Sequence, residues 1–226
     1  MCRCLALLLA SVSTAAFCSE LPPAAGLSPK PGRLTIYLEK IESTTAATAA
    51  VIRSEVAATL ETAGVDVRWH DGRGEVPGRL AVIRLTGSCL PVFAPIVSVG
   101  GFVPRSAEAL GLTHVTDGKV LSFAEVRCDQ IRKYAGEAII RSTHSAFERE
   151  TMLGRAVARV AVHEIYHILL GTTKHGKSGI AKSSQTPEQL IAARLNFAPR
   201  EEQAISASVG SHGESQAATA EDSDRR

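Results

Sequence analysis

The chain has 226 residues, 45% of them hydrophobic and 21% charged, with a formal net charge of +2. That composition suits one globular domain with polar ends. The near-neutral balance, with basic residues scattered and without interleaved aromatics, points to no nucleic-acid partner. No apolar run reaches the roughly 18 residues that span a bilayer.

In chain order, residues 1–18 carry one early positive charge, Arg3, and then an apolar stretch from Leu5 to about Phe17. This is the layout of a secretory signal peptide, with cleavage after Ala16 or Cys18. The expected location is secreted or periplasmic, with no stable membrane association once the signal is removed. Export decides how the cysteines are read. Cys89 and Cys128 lie beyond the signal, and in an oxidising compartment they are expected to form a structural disulfide. In the chain-entropy picture such a bridge stabilises by about 3–4 kcal/mol. Residues 19–32, with Pro22, Pro23, Pro29 and Pro31, read as an extended linker.

A single domain is expected over residues 33–199. Leu34, Ile36 and Leu38 alternate with polar neighbours as a first strand. Thr44 or Thr45 then caps a helix to about Ala63, with Ala49, Ile52, Val56 and Leu60 on one face and Gly64 as its stop. Val65–Trp69 and Arg79–Thr86 read as strands, giving a βαβ unit with parallel neighbours. Pro91, Pro95, Gly100, Gly101 and Pro104 break up the next segment, which is expected as a loop with one strand at Ile96–Val99. Thr113–Val115 and Lys119–Phe123 flank Thr116-Asp117-Gly118 as a hairpin, and Asp129–Tyr134 reads as a short helix. Ser145 and Glu148 have capping-box spacing and open a long helix that Gly171 ends. Thr186-Pro187-Glu188 starts a last helix to about Phe197, with Leu190, Ala193 and Leu195 facing the core. Residues 200–226 are poor in large apolar side chains and are expected as a disordered tail.

The chemistry concentrates in Val160–Ala181, VAVHEIYHILLGTTKHGKSGIA. His163 and His167 stand four apart, one helical turn, so both imidazoles fall on one face and can share a metal ion. Glu164 lies beside that face, where a carboxylate can take a proton from a metal-activated water. The surrounding helix is apolar on nearly every side, from Ala156 to Leu170, so these ionisable groups are expected to be buried and in need of a partner. A catalytic zinc takes three protein ligands. His175, brought back by a turn at Gly171, is one candidate for the third; Glu188 is the other, although an acid in the first turn of a helix is also explained by the helix dipole. Tyr166 reads as packing, and His70, His114 and His144 read as surface residues, with His114 close to the proposed edge strand.

HEIYHILLGTTKHG resembles the zinc signature of the metzincin clan of metallopeptidases, H-E-x-x-H-x-x-G-x-x-H, with Gly171 one residue late and His175 two. It is closer to small exported bacterial proteins of metzincin type that read H-E-x-x-H-x-L-L-G-x-x-x-H-S-x-x-G-I-M. In that comparison Gly176 replaces the serine and Ala181 replaces the methionine of the turn beneath the metal. The resemblance implies Zn2+ on His163, His167 and His175 with Glu164 as general base. The fold it implies is α+β, metzincin-like: a small mixed sheet with a backing helix, a long active-site helix and a short C-terminal helix. It further implies a peptide or protein substrate bound in extended form along an edge strand, a role that falls to Thr113–Phe123. The expected activity is an exported zinc metallopeptidase, and the alternatives are a non-catalytic zinc-stabilised binding module or a hydrolase of a non-protein amide.

Overall fold

The computed structural model describes residues 32–39, 44–74, 76, 78–91 and 109–210. The signal peptide and linker, the strand expected at Ile96–Val99 and the far end of the expected tail lie outside the described residues.

The mixed α+β architecture is built on a five-stranded sheet in the order β2-β1-β3-β5-β4. Strand β1 (Gly32–Glu39) leads into helix α1 (Ala46–Thr62), and β2 (Val65–His70) returns parallel to β1, completing the βαβ unit. Strand β3 (Arg79–Thr86) lies parallel on the other side of β1, and β5 (Lys119–Arg127) lies parallel to β3. Strand β4 (Gly111–Thr116) is antiparallel to β5 and closes the sheet at one edge. Asp117 at φ 50° and Gly118 at φ 74° make the β4–β5 turn, the left-handed pair that matches strand twist in a two-residue hairpin. One expectation changes here. Lys119–Phe123 belongs to β5, which pairs with β4 and, from Phe123 onward, with β3, so among the described residues the edge strand is β4, and of Thr113–Phe123 only residues 113–116 lie on it.

Helix α2 spans Cys128–Ser142 and is more than twice the length expected from Asp129–Tyr134, because Ala135, Ala138 and Ile139 continue its buried face. Cys128, at its first residue, is disulfide-bonded to Cys89 just after β3, with Cα atoms 4.9 Å apart. Both cysteines are fully buried. The bridge closes the segment that carries β4 and β5.

Helix α3 (Ala146–Leu170) runs through the centre of the protein, between α1 and α2 and against β4 and β5. Its start is a full capping box: Ser145 Oγ accepts from Glu148 N at 3.1 Å and Glu148 Oε2 accepts from Ser145 N at 2.9 Å. Glu148 Oε2 also accepts from His144 N, and these backbone donors, His144 first, hold its carboxyl below the usual range. Leu153, Val157, Ile165 and Leu169 are among its fully buried side chains. Gly154 is where α1 crosses closest: a Cβ there would lie 2.8 Å from Val51 Cβ and 3.3 Å from the Thr48 carbonyl. Gly154→Ala would gain about 1 kcal/mol of helix propensity but overpack this crossing by about 1–3 kcal/mol, since backbone cannot yield as a flexible side chain can. The variant is expected to have a lower melting temperature by thermal unfolding. An unchanged or higher value would mean that the two helices separate without loss.

The last elements depart from expectation. Helix α4 is only Pro187–Ile191. Ala192 leaves helical backbone at ψ 153°, and Ala193 is exposed rather than in the core. The expected tail does not begin at residue 200: residues 199–210 form a further helix, α5, with Ile205 and Val209 buried. The segment reads as polar because those two are its only large apolar residues after Phe197. Helix α5 secures the end of α3. Ser208 Oγ donates to the Leu169 carbonyl, Arg79 donates to the Ile168 carbonyl at 2.5 Å, and Arg79 and Ser208 are bonded to each other at 2.9 Å. Three orphan-carbonyl problems at a helix end are thereby met by two side chains from other elements and by the Gly171 turn.

Candidate metal centre

His163 and His167 are carried on α3 one turn apart, and their Nε2 atoms lie 3.1 Å from one another. The backbone fixes which nitrogen faces which way. His163 Nδ1 is 2.7 Å from the Ile180 carbonyl and His167 Nδ1 is 2.7 Å from the Thr172 carbonyl. A carbonyl only accepts, so both Nδ1 atoms carry the proton and both Nε2 atoms present lone pairs. Two lone pairs at 3.1 Å cannot hydrogen-bond to each other. They fit a shared cation, since donors about 2.0–2.1 Å from one zinc lie about 3.3 Å apart at the tetrahedral angle.

Local sequence builds each carbonyl support. Gly171 adopts φ 57°, ψ 35°, ending α3 and letting Thr172 N bond back to the His167 carbonyl at 3.2 Å. The same turn aims the Thr172 carbonyl at His167. Gly179, at φ 64°, turns the chain so that Ile180 N bonds to the Asn196 carbonyl at 3.0 Å; a Cβ at Gly179 would meet that oxygen at 2.4 Å. The Gln185 amide gathers the turn, donating toward the carbonyls of Gly179, Ile180 and Lys182 at 3.0, 3.2 and 3.3 Å.

His175 completes the group. The candidate ligand nitrogens of His163, His167 and His175 all lie within 4.8 Å of one another. His175 is exposed, on a loop paired to the following turn through Gly176 N and the Ala181 carbonyl at 2.8 Å. Ala181, the residue in the methionine position, is fully buried. The turn forms without a large side chain because Gly179 and the Gln185 amide hold its backbone. The rival third ligand, Glu188, is instead 3.4 Å from Arg141 and outside the histidine group. His70, His114 and His144 are also outside it; His114 packs on Phe123 at 4.8 Å between ring centroids. Tyr166 is buried more deeply than a half-exposed packing residue and donates to the Lys174 carbonyl at 3.3 Å, bracing the His175 loop.

Burial keeps this set neutral. It pulls His167 down to about 4, helped by the proximity of His163, and it lowers His163 and His175 in the same direction. Neutral imidazoles are what a metal needs, because ligand nitrogens must be deprotonated. The donor set of three nitrogens suits zinc.

Glu164 is 5% exposed. Thr113 of β4 donates to its Oε2 at 2.6 Å and reaches its backbone carbonyl at 3.2 Å. Burial pushes the carboxyl above its ordinary range, with the Thr113 hydrogen bonds and then the nearby His175 ring pulling the other way. The wall on its other side is Gly111, where a Cβ would lie 2.5 Å from Glu164 Oε1. Neither contact was legible in the sequence, because each depends on the register of β4 over α3. Gly111→Ala is expected to keep zinc while lowering any Glu164-dependent turnover by about 10²-fold, the scale of a 1 Å misplacement of a catalytic group. Full activity in that variant, by steady-state kinetics, would show that Glu164 has no fixed position to lose.

The histidines and Glu164 open onto a cleft of about 760 Å³ between β4 on one side and α2 and the 182–185 segment on the other. Leu110, Leu112, Val115 and Leu190 give it apolar walls.

No protein-family model matches the chain, and no curated protein sequence matches it. Among solved structures, it is similar to a zinc-dependent peptidase from Methanocorpusculum labreanum, at TM-score 0.46 and 11% identity, over 76% of this chain and 99% of that one. It is similar also to archaemetzincin from Methanopyrus kandleri, at TM-score 0.45 and 11% identity, over 80% of this chain and 97% of that one.

Proposed function

We propose that the protein is an exported zinc-dependent metallopeptidase, with His163, His167 and His175 holding the ion and Glu164 acting as general base. The observation that carries this reading is the convergence of three neutral imidazoles beside a buried, hydrogen-bonded carboxylate at the floor of a cleft. A site serving only to hold a metal has no use for that carboxylate. When bound by these histidines, zinc would supply a Lewis acid for a substrate carbonyl and would make a water more acidic.

The chain's own residues do the rest. Glu164, raised by burial, takes the proton of the attacking water and passes it to the leaving amine. Thr113 holds the carboxylate in place through one oxygen and leaves the other for this work. Strand β4 has an edge that pairs with no other strand among the described residues, and an extended peptide adding there would lie over Glu164. Export is supported by the composition of residues 1–18 and by the buried Cys89–Cys128 bridge.

The test is the purified protein's metal content together with its action on a peptide mixture. One zinc per chain and new peptide termini by mass spectrometry are expected. Zinc with no cleavage of any peptide would reject the peptidase reading and favour a binding module.

A further inference from the structure

Arg159 stands one helical turn before His163 on α3 and lines the same cleft, yet it is only 4% exposed. Its guanidinium donates to the carbonyls of Gln189 at 2.7 Å, Leu190 at 2.6 Å and Ala192, at the end of α4. These acceptors satisfy its geometry but carry no net charge. The nearby carboxylate, Glu55, is taken by Arg155 at 2.9 Å, and Arg159 has no ion pair among the described residues. A buried cation without a bonded anion is costly: burial lowers this one to about 10, against the attraction of Glu55 acting through space. The remaining charged residues along the cleft have the same sign: Lys133 and Lys182 join Arg159, against the single carboxylate of Glu164. Low-dielectric walls concentrate that field within the cleft.

We propose that Arg159 is a specificity-determining residue, and that the cleft selects peptides presenting a carboxylate toward the α2–α4 end, where Lys133 and Lys182 assist it. The proposal rests on the cleft being a peptide site. The carboxylate comes from an acidic side chain or from a peptide C-terminus, and both offer the planar oxygen pair that a guanidinium recognises.

Binding is measured on zinc-loaded Glu164→Gln, so that turnover plays no part. The probes are short amidated peptides in which Glu replaces Gln at each position in turn, and one all-Gln peptide with a free C-terminus. About tenfold tighter binding is expected for Glu at one position or for the free carboxylate, the scale of one charged hydrogen bond; which probe gains identifies the source. The ratio is expected to fall to about one when Arg159→Met is added. A purely structural role in holding α4 would weaken charged and neutral probes alike and leave the ratio standing, which overturns the proposal. Equal binding of all probes by Glu164→Gln itself also overturns it. Where Arg159→Met does not fold, Arg159→Gln keeps an amide donor for the α4 carbonyls without the charge, and the same ratio decides. Absence of cleavage by the unmutated protein would reject the peptidase reading and leave this preference measurable.

Discussion

Glu164→Gln is expected to lower kcat/KM for peptide cleavage by about 10²–10⁴-fold, the usual share of a general base, while zinc content stays at one per chain. The substitution suits the site. The amide keeps an oxygen to accept from Thr113, which now lies at 2.6 Å from Oε2, and it is the same size as the carboxylate that Gly111 admits. What it removes is the ability to take a proton. Loss of turnover with retained metal and unchanged melting would therefore isolate proton transfer from positioning and from folding. The split between kcat and KM adds a second check, since a residue that acts on the water and makes no ground-state contact with substrate should leave KM little changed. Normal turnover would remove Glu164 from the mechanism, and the cleft would then need a base from among groups that lie farther from the histidines.

Most of the architecture was legible because it is local. Alternation in Leu34–Leu38, the Asp117-Gly118 turn, the Ser145–Glu148 box and the glycine at 171 each specify structure within a few residues, and each is found where the pattern placed it. The histidines of α3 belong to the same class, since helical period alone sets their shared face. What was not legible is long-range. Helix α5 gains its stability from Val209 against Gly32 and from Ser208 with Arg79, contacts with strands near the beginning of the chain. Its own segment, read alone, looks like a polar tail. The helix expected after Thr186 stops at Ile191 because Arg159 takes the carbonyls of Gln189, Leu190 and Ala192 that a longer helix would have bonded internally. That arginine was visible as the one cation in an otherwise apolar run before His163, a signal that periodicity does not weigh. Gln185 gave no signal at all, because its role is set by the three carbonyls of a turn that only the fold assembles.

Loss of the metal is expected to abolish function and to spare the fold. Helix α3 is held by a capping box, by fully buried Leu153, Val157, Ile165 and Leu169, and by Arg79 and Ser208 at its far end, none of which involves the histidines. The ion contributes by mass action instead, about 4 kcal/mol at a thousandfold excess over Kd. For a domain of this size that amounts to a drop of about 10 °C in melting temperature on chelation, with helical circular dichroism and cooperative unfolding retained. His167→Ala should reproduce this state with zinc present. Its effect on affinity should go well beyond the roughly 10–100-fold that removing a supporting hydrogen-bond partner costs, because it deletes one of the two nitrogens that α3 and the Thr172 and Ile180 carbonyls orient in advance. His175→Ala should be milder in binding. That imidazole is exposed on a loop, so part of its binding energy already goes to ordering the loop, and two aligned nitrogens remain when it is gone. Competition with a chromophoric chelator gives the order of the two affinities. Equal losses would mean that the loop is as preorganised as the helix, and collapse of helical signal on chelation would mean that zinc is a structural element of the fold, as in a metal-stabilised binding module.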